Sequence, residues 1–233
     1  MRVKKIAAIK NLSESEKRSL TTTRAKLRRD IIKWRKYQYE HYPLLRDHIP
    51  PVDMTTPEND NLFLPSAIPR PLRELYQVMP LAQLEYDLRE GQAHDALNQV
   101  RDSIKDYSCN LAYKKAYVFG QHPSTRAHEF LCSLARNKVA AADKYRNARN
   151  ALLGLGLSDN DSTFQPLEDS DLWMKNVVEP HVFGGSRIQD PWFWTVGRPS
   201  GLSENEETEW TLEGAFPQFL LRLLIRISIQ LNE

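Results

Sequence analysis

The sequence predicts an all-α protein: an antiparallel bundle of three long helices, with short helices and an irregular Trp-rich C-terminal segment. Two observations carry that expectation. Apolar residues recur at spacings of three and four along three stretches, which is the rhythm of one buried helix face. The chain also has only 9 glycines against 14 prolines in 233 residues, and most of those prolines lie between the periodic stretches. So few glycines disfavour Gly-rich phosphate loops and turn-dense β-barrels. Hydrophobic residues at 41% and charged residues at 27% are ordinary for a folded soluble chain.

The first helix is expected from about Ser13 to Tyr42, closing a basic N-terminal region, 1–42. Ser13 and Glu16 have capping-box spacing, in which each side chain satisfies an otherwise unpaired backbone N–H. Leu20, Leu27, Ile31 and Trp34 succeed one another at intervals of seven, four and three on one face, and Pro43 ends the helix. Residues 43–80 hold eight of the fourteen prolines and read as a connector, with a short helix marked by Leu72, Leu75, Tyr76 and Met79. Leu62, Phe63 and Leu64 are expected to pin this connector to the core.

A helical core is expected over 81–156. Leu81, Leu84 and Leu88 mark a stretch that breaks near Gly91. Ala93, Leu97, Val100, Ile104, Tyr107, Leu111 and Val118 then form a sustained heptad seam, interrupted by Lys114. Gly120–Pro123 is a tight break, with Ser124 or Thr125 able to cap the next helix. Ala127, Leu131, Leu134, Ala141, Tyr145, Ala148 and Leu152 repeat the rhythm, interrupted by Lys138, and Gly154 and Gly156 suit a helix end. Two long helices joined by about four residues must run antiparallel.

Residues 157–215 differ in character. Trp173, Trp192, Trp194 and Trp210 fall here, and repeated Pro and Gly prevent long elements. Short elements docked on the bundle are expected, anchored by Trp192-Phe193-Trp194 because aromatic rings bury large areas. An apolar tail, 216–233, closes the chain. Gln218, Arg222, Arg226 and Gln230 recur every four residues and favour a helix from about Pro217 to Leu231. Alternation from Ile225 to Leu231 keeps a strand open as the competing reading.

Charge is segregated along the chain. Residues 1–36 hold 13 basic and 3 acidic side chains, whereas 157–215 hold 12 acidic and 3 basic, within a formal net charge of only +2. The basic head can meet nucleic-acid phosphates, and Arg24, Lys26, Arg28, Arg29, Arg35 and Lys36 are the residues expected to do so. A solvated helix face, or compensation by the chain's own acidic segment, explains the same residues without a ligand.

Little in the sequence points to catalysis. The loop from Asp159 begins like a calcium site but has Phe164 where the turn needs glycine and Ser170 where a bidentate glutamate belongs. Gly184-Gly185-Ser186 lacks the spacing of a nucleophile elbow, and the six histidines show no paired metal spacing. His94-Asp95 and the Asp102/Asp106 pair read as surface polar groups. Cys109 and Cys132 form no CxxC motif, and Cys132 is expected to be a buried thiol. No enzyme activity, cofactor or metal is therefore expected. The N-terminus lacks the apolar run of a secretory signal and no stretch is apolar enough to span a bilayer, so an intracellular protein without a membrane span is expected.

Three stretches carry a family likeness. They are Leu88-Arg89-Glu90-Gly91-Gln92-Ala93-His94-Asp95-Ala96-Leu97, Lys144 to Leu152, and Pro166-Leu167 with Asp169, Asp171 and Leu172 followed by Asp190-Pro191-Trp192-Phe193-Trp194. In this order they resemble the helical region that lies after the catalytic core in fungal, cysteine-cluster-containing transposases of the Kyakuja–Dileera–Zisupton type. The resemblance spans about residues 20–213. It implies a part of a DNA-transposition protein of nuclear origin, with DNA and other transposase parts or a second copy as partners. That family's cysteine clusters are not matched here, and its acidic catalytic residues lie on an upstream RNase H-like fold, so no catalytic residue carries over. The apolar tail departs from the long charged helix the family would place there, as a degenerate element copy would.

The function expected from these features is a non-catalytic, transposase-derived helical module that supports protein assembly and makes weak, sequence-independent DNA contact. The alternative is a helical protein-interaction scaffold with no nucleic-acid role. A basic face left open favours the first and a covered one the second.

Overall fold

The computed structural model describes residues 13–46, 48–174 and 191–196. The expected tail helix at 217–231 and most of 175–215 lie outside the described residues. Within them the protein is all-α, with no strand. Four α-helices are described: α1 (Glu14–His41), α2 (Arg70–Leu75), α3 (Met79–Tyr117) and α4 (Gln121–Leu155). Single 3-10 turns occupy Pro43–Leu45, Pro57–Asn59, Pro65–Ala67, Asp169–Asp171 and Trp192–Trp194. The chain divides into two compact units, 1–86 and 87–233, so the first helix and the Pro-rich connector belong together.

In the first unit, α1 starts where its sequence provides a cap. Ser13 Oγ accepts from Glu16 N at 3.3 Å, and Glu16 Oε2 accepts from Ser13 N at 2.9 Å. The helix stops at His41, ahead of Pro43, whose ring fixes φ and removes a donor. Each of the connector's three 3-10 turns opens on a proline, for the same reason. The core of this unit is Leu45, Ile49, Ile68, Tyr76 and Val78, with Tyr39, Tyr42, Phe63 and Leu72 against it. Leu62 is not one of the apolar pins expected of it. Its side chain is exposed, and its carbonyl makes the attachment by accepting from Trp34 Nε1 at 2.9 Å and Gln38 Nε2 at 3.1 Å.

Helix α3 runs through Gly91 without the expected break. A methyl group there would meet open space, so the glycine costs only about 1 kcal/mol of helix propensity relative to alanine. Burial of Ala93, Ala96, Leu97 and Val100 directly after it outweighs that cost. Helix α4 begins at Gln121, with Gly120 as N-cap at φ 88°, a left-handed conformation that favours glycine. Neither Ser124 nor Thr125 caps it; the Thr125 hydroxyl instead donates back to the Gln121 carbonyl at 3.0 Å. At its other end Gly156 takes φ 118°, and Leu157 N reaches the Leu152 carbonyl at 2.9 Å, closing the helix as expected.

In the second unit α3 and α4 pack as a long pair. Lys144 Nζ donates to Gln99 Oε1 at 2.6 Å, and Lys138 Nζ lies 5.1 Å from the Tyr107 ring centroid. One residue number falls as the other rises, so the helices are antiparallel about the Gly120 turn. Of the expected seam residues, Leu97, Val100, Ile104, Leu131, Leu134, Tyr145, Ala148 and Leu152 are buried, whereas Tyr107, Leu111, Val118 and Ala127, toward the Gly120 turn, are only half-buried. Lys138, out of place on an apolar seam, has a use there: its ammonium also donates to the Leu172 carbonyl at 2.8 Å.

The segment after α4 folds back along it. Tyr145 Oη donates to the Gln165 carbonyl at 2.7 Å, Arg146 Nε to Leu167 at 2.9 Å and Arg149 Nε to Phe164 at 2.8 Å. Trp192-Phe193-Trp194 docks as expected, with Phe193 and Trp194 buried and Trp192 Nε1 donating to Pro166 at 3.0 Å. Arg101 of α3 clasps it, its Nε donating to the Phe193 carbonyl at 3.0 Å. Neutral backbone carbonyls therefore do most of the holding. The acidic stretch adds an ion pair, Arg146–Asp169 at 2.7 Å, with Asp169 exposed.

Candidate nucleic-acid interface

The basic residues of α1 divide between two faces, because an α-helix advances about 100° per residue. Leu20, Arg24, Leu27, Ile31, Arg35 and Gln38 recur at threes and fours, and with Arg28 beside Leu27 they make up the inner face, which meets the connector. Leu20, Ile31, Arg35 and Gln38 are buried there.

Three of the six residues expected to meet phosphate are committed to this inner face. Arg24 grips Glu58 through Nε, at 3.0 and 3.1 Å from the two carboxylate oxygens, and through Nη2. The Arg24 side chain retains 27% exposure and Glu58 only 5%. That bond holds the Glu58 carboxyl below its usual range and raises the guanidinium in turn. Arg28 is half-buried and donates to the Met54 carbonyl. Arg35 is almost completely buried: Nη2 donates to Asp60 Oδ1 at 2.9 Å and to the Asn61 carbonyl at 3.0 Å, and Nη1 to the Pro50 carbonyl. The Phe63 ring lies over this guanidinium at 5.0 Å. Phe63 itself has φ 49°, a conformation held by Asn61 Oδ1 on its N–H and Gln38 Nε2 on its carbonyl. These arginines organise a proline-rich loop that has few backbone donors of its own.

The other three, Lys26, Arg29 and Lys36, are exposed on the opposite face. Lys33 lies between them and was missed, as was Arg18 two turns before Lys26. Lys26, Arg29, Lys33 and Lys36 stand at intervals of three, four and three, which confines them to a stripe about 80° wide. With Arg18 the stripe covers about 27 Å of helix at 1.5 Å per residue. That periodicity was the available signal, and counting arginines and lysines without helical phase hides it. Asp30 and Glu40 interrupt the outer surface, with Glu40 Oε1 at 3.8 Å from Lys36 Nζ.

Beside the stripe is a second feature that sequence reasoning did not reach. Trp34, Tyr37 and His41, at intervals of three and four, stack in succession. Their ring centroids are 6.1 Å apart at 19° and 4.0 Å apart at 27°. A small cavity of about 60 Å³ lies under Trp34, Tyr37 and Gln38, too small to admit a nucleobase.

Asp161 Oδ1 accepts from Thr163 N at 2.9 Å and Phe164 N at 2.7 Å, so the calcium-like stretch is an aspartate-capped turn. Cys132 is exposed rather than buried, 3.6 Å from His128 Nε2 one helical turn away; its position beside the seam leaves it on the solvent side. Among the described residues no group of three or more His, Cys, Asp or Glu side chains could hold a metal ion, and no helix is long and apolar enough to cross a membrane.

No protein-family model, curated protein or solved structure matches this chain. Functional inference therefore rests on the residues themselves.

Proposed function

We propose that this chain is a non-catalytic, transposase-derived helical module that supports protein assembly and contacts nucleic acid weakly, without regard to sequence, through the outer face of α1. The single observation that supports the nucleic-acid contact is the exposed stripe of Arg18, Lys26, Arg29, Lys33 and Lys36, opposite the packed face. A duplex carries about one negative charge per 1.7 Å, so such a stripe lies within reach of several phosphates. Lysine and arginine on a smooth helix face read charge and not base edges, which makes the contact indifferent to sequence. The transposase origin rests on the three stretches around Gly91, Lys144–Leu152 and Trp192–Trp194.

Commitment of Arg24, Arg28 and Arg35 to the connector favours a second reading, a helical scaffold in which the basic head serves folding alone. Fluorescence anisotropy of a labelled duplex separates the two. Nucleic-acid contact predicts binding at low salt, equal affinity for unrelated sequences, and a slope of log K against log salt of roughly −4 for four or five neutralised phosphates. The triple change Lys26→Glu, Arg29→Glu, Lys33→Glu should abolish it. Absence of binding at low salt supports the scaffold reading instead, and the same affinity in the triple variant places any contact away from the outer face of α1.

A further inference from the structure

We propose that the closed end of the α3–α4 hairpin is a docking point for a lipid surface that carries anionic headgroups. The proposal goes beyond the nucleic-acid contact of α1 and is independent of it. Tyr117 and Phe119 are the two most exposed large apolar side chains among the described residues, at 69% and 76%. Tyr117 ends α3, and Phe119 lies in the turn before α4. Tyr113, one helical turn earlier, is half-buried, with its ring centroid 5.2 Å from that of Tyr117. The seam loosens toward this end, as the half-buried Leu111, Val118 and Ala127 show. The exposed rings take no part in closing the hairpin's own core, which is built from residues farther from the turn.

The same end carries cations and no acid. Lys114 and Lys115 lie in the last turn of α3, and Arg126 is exposed in the second turn of α4. From Tyr107 to His128 the sequence holds no Asp or Glu. The nearest acids are Asp106 on α3 and Glu129 on α4, which leaves roughly the outer 12 Å of the hairpin without a negative side chain of its own. Lysines in a final turn also complement the helix dipole, which explains their position but not the exposed rings beside them. Rings next to cations suit the interface of an anionic bilayer. Aromatic rings settle at headgroup depth, while lysine and arginine reach the headgroup charges with their stems along apolar surface. A duplex would meet the cations but has no apolar layer for Phe119. An acidic protein would have to bring a matching pocket to the turn, whereas a bilayer receives it without prior shape. Each basic residue near such a surface strengthens attachment about fivefold, so this end gives reversible docking and not insertion.

The test sediments the full chain at low salt with vesicles of phosphatidylcholine alone and of phosphatidylcholine mixed with phosphatidylserine. Only the mixed vesicles should carry the protein down. Lys114→Gln, Lys115→Gln and Arg126→Gln together should weaken that binding about a hundredfold. Tyr117→Ala with Phe119→Ala should weaken it about tenfold and leave duplex binding and helical circular dichroism as in the parent. Phe119→Trp should bind as the parent does and add tryptophan emission that brominated lipid quenches beyond the parent's own level. If the double alanine variant sediments as the parent does, charge alone holds the protein and the docking point is overturned. Loss of sedimentation in Lys26→Glu, Arg29→Glu, Lys33→Glu, with both hairpin variants unaffected, assigns the attachment to α1 and overturns it too. A parent that ignores both vesicles also overturns it. Retention on immobilised oligoglutamate by that parent, and not by the hairpin variants, would then give this end to an acidic protein. None of these outcomes decides whether α1 binds a duplex, which the anisotropy measurement reads separately.

Discussion

Arg35 and Asp60 form an ion pair of 2.9 Å in which both side chains are withdrawn from solvent, at 3% and 7% exposure. The pair ties the middle of α1 to the connector, and the same guanidinium holds the Asn61 carbonyl. Removing one member of a buried pair strands the other charge, so Arg35→Ala should cost about 3–5 kcal/mol. Arg29→Ala, on the outer face of the same helix, should stay within about 0.5 kcal/mol of the parent. Urea unfolding measures both. Equal losses would show that the two arginines do not face opposite ways.

Acid should weaken the first unit through Glu58. Its hydrogen bond from Arg24 places the folded carboxyl below the ordinary 4.5. Between those two values the unfolded chain binds more protons, so stability is present in full above 4.5 and is lost as pH falls through the folded value. Asp53, held low by the Thr56 hydroxyl and the backbone N–H groups of Thr55 and Thr56, acts in the same direction. Glu58→Gln should therefore start less stable at neutral pH and lose less between about pH 5 and about pH 3. Melting temperatures across that range read the difference, and parallel curves for parent and variant would contradict it.

On α3 two substitutions should act in opposite directions. Leu97 is 1% exposed on the seam, and its truncation to alanine should cost about 2–5 kcal/mol. Gly91 lies in the same helix with open space around its missing side chain, so Gly91→Ala should stabilise by roughly 0.5–1 kcal/mol. Thermal melts of both variants check the placement of the seam; a neutral Leu97→Ala would mean that the helix is rotated.

The aromatic segment should depend on a single guanidinium. Arg101 donates to the Phe193 and Val196 carbonyls from 92 and 95 residues away, and burial pushes its pKa down. Arg101→Ala leaves those acceptors unpaired, at a cost of about 1–3 kcal/mol for a buried group. Chymotrypsin should then cut at Trp192–Trp194 faster than in the parent while the α3–α4 pair stays folded by circular dichroism. Unchanged cleavage would show that ring packing alone holds the segment.

Several features are legible in the sequence because their chemistry is local. The Ser13–Glu16 capping box, Pro43 and Gly156 act on backbone groups within a few residues, so they mark helix ends wherever the chain goes. The two seams are readable because burial of one helix face imposes its period on the sequence, and the Gly120 turn is too short for any pairing but antiparallel. The failure at Gly91 has the opposite cause. A glycine's local penalty is visible in the sequence, but the buried contacts after it that outweigh the penalty are not.

The helical class, the paired seams and the helix ends set by Ser13, Pro43 and Gly156 thus came from sequence alone, because they depend on spacing and on nearby backbone groups; the start of α4 at Gly120 and the continuity of α3 through Gly91 did not. Which arginines remain available to a ligand was settled in three dimensions. Arg24, Arg28 and Arg35 are indistinguishable by composition from Arg18 and Arg29, yet they meet Glu58, Met54, Pro50, Asp60 and Asn61, residues 15 to 34 positions away. The connector that carries those acceptors has no period of its own, so only the folded chain shows which face of α1 it covers. The stacked rings of Trp34, Tyr37 and His41 result from that choice, since they occupy the border between the covered face and the open one.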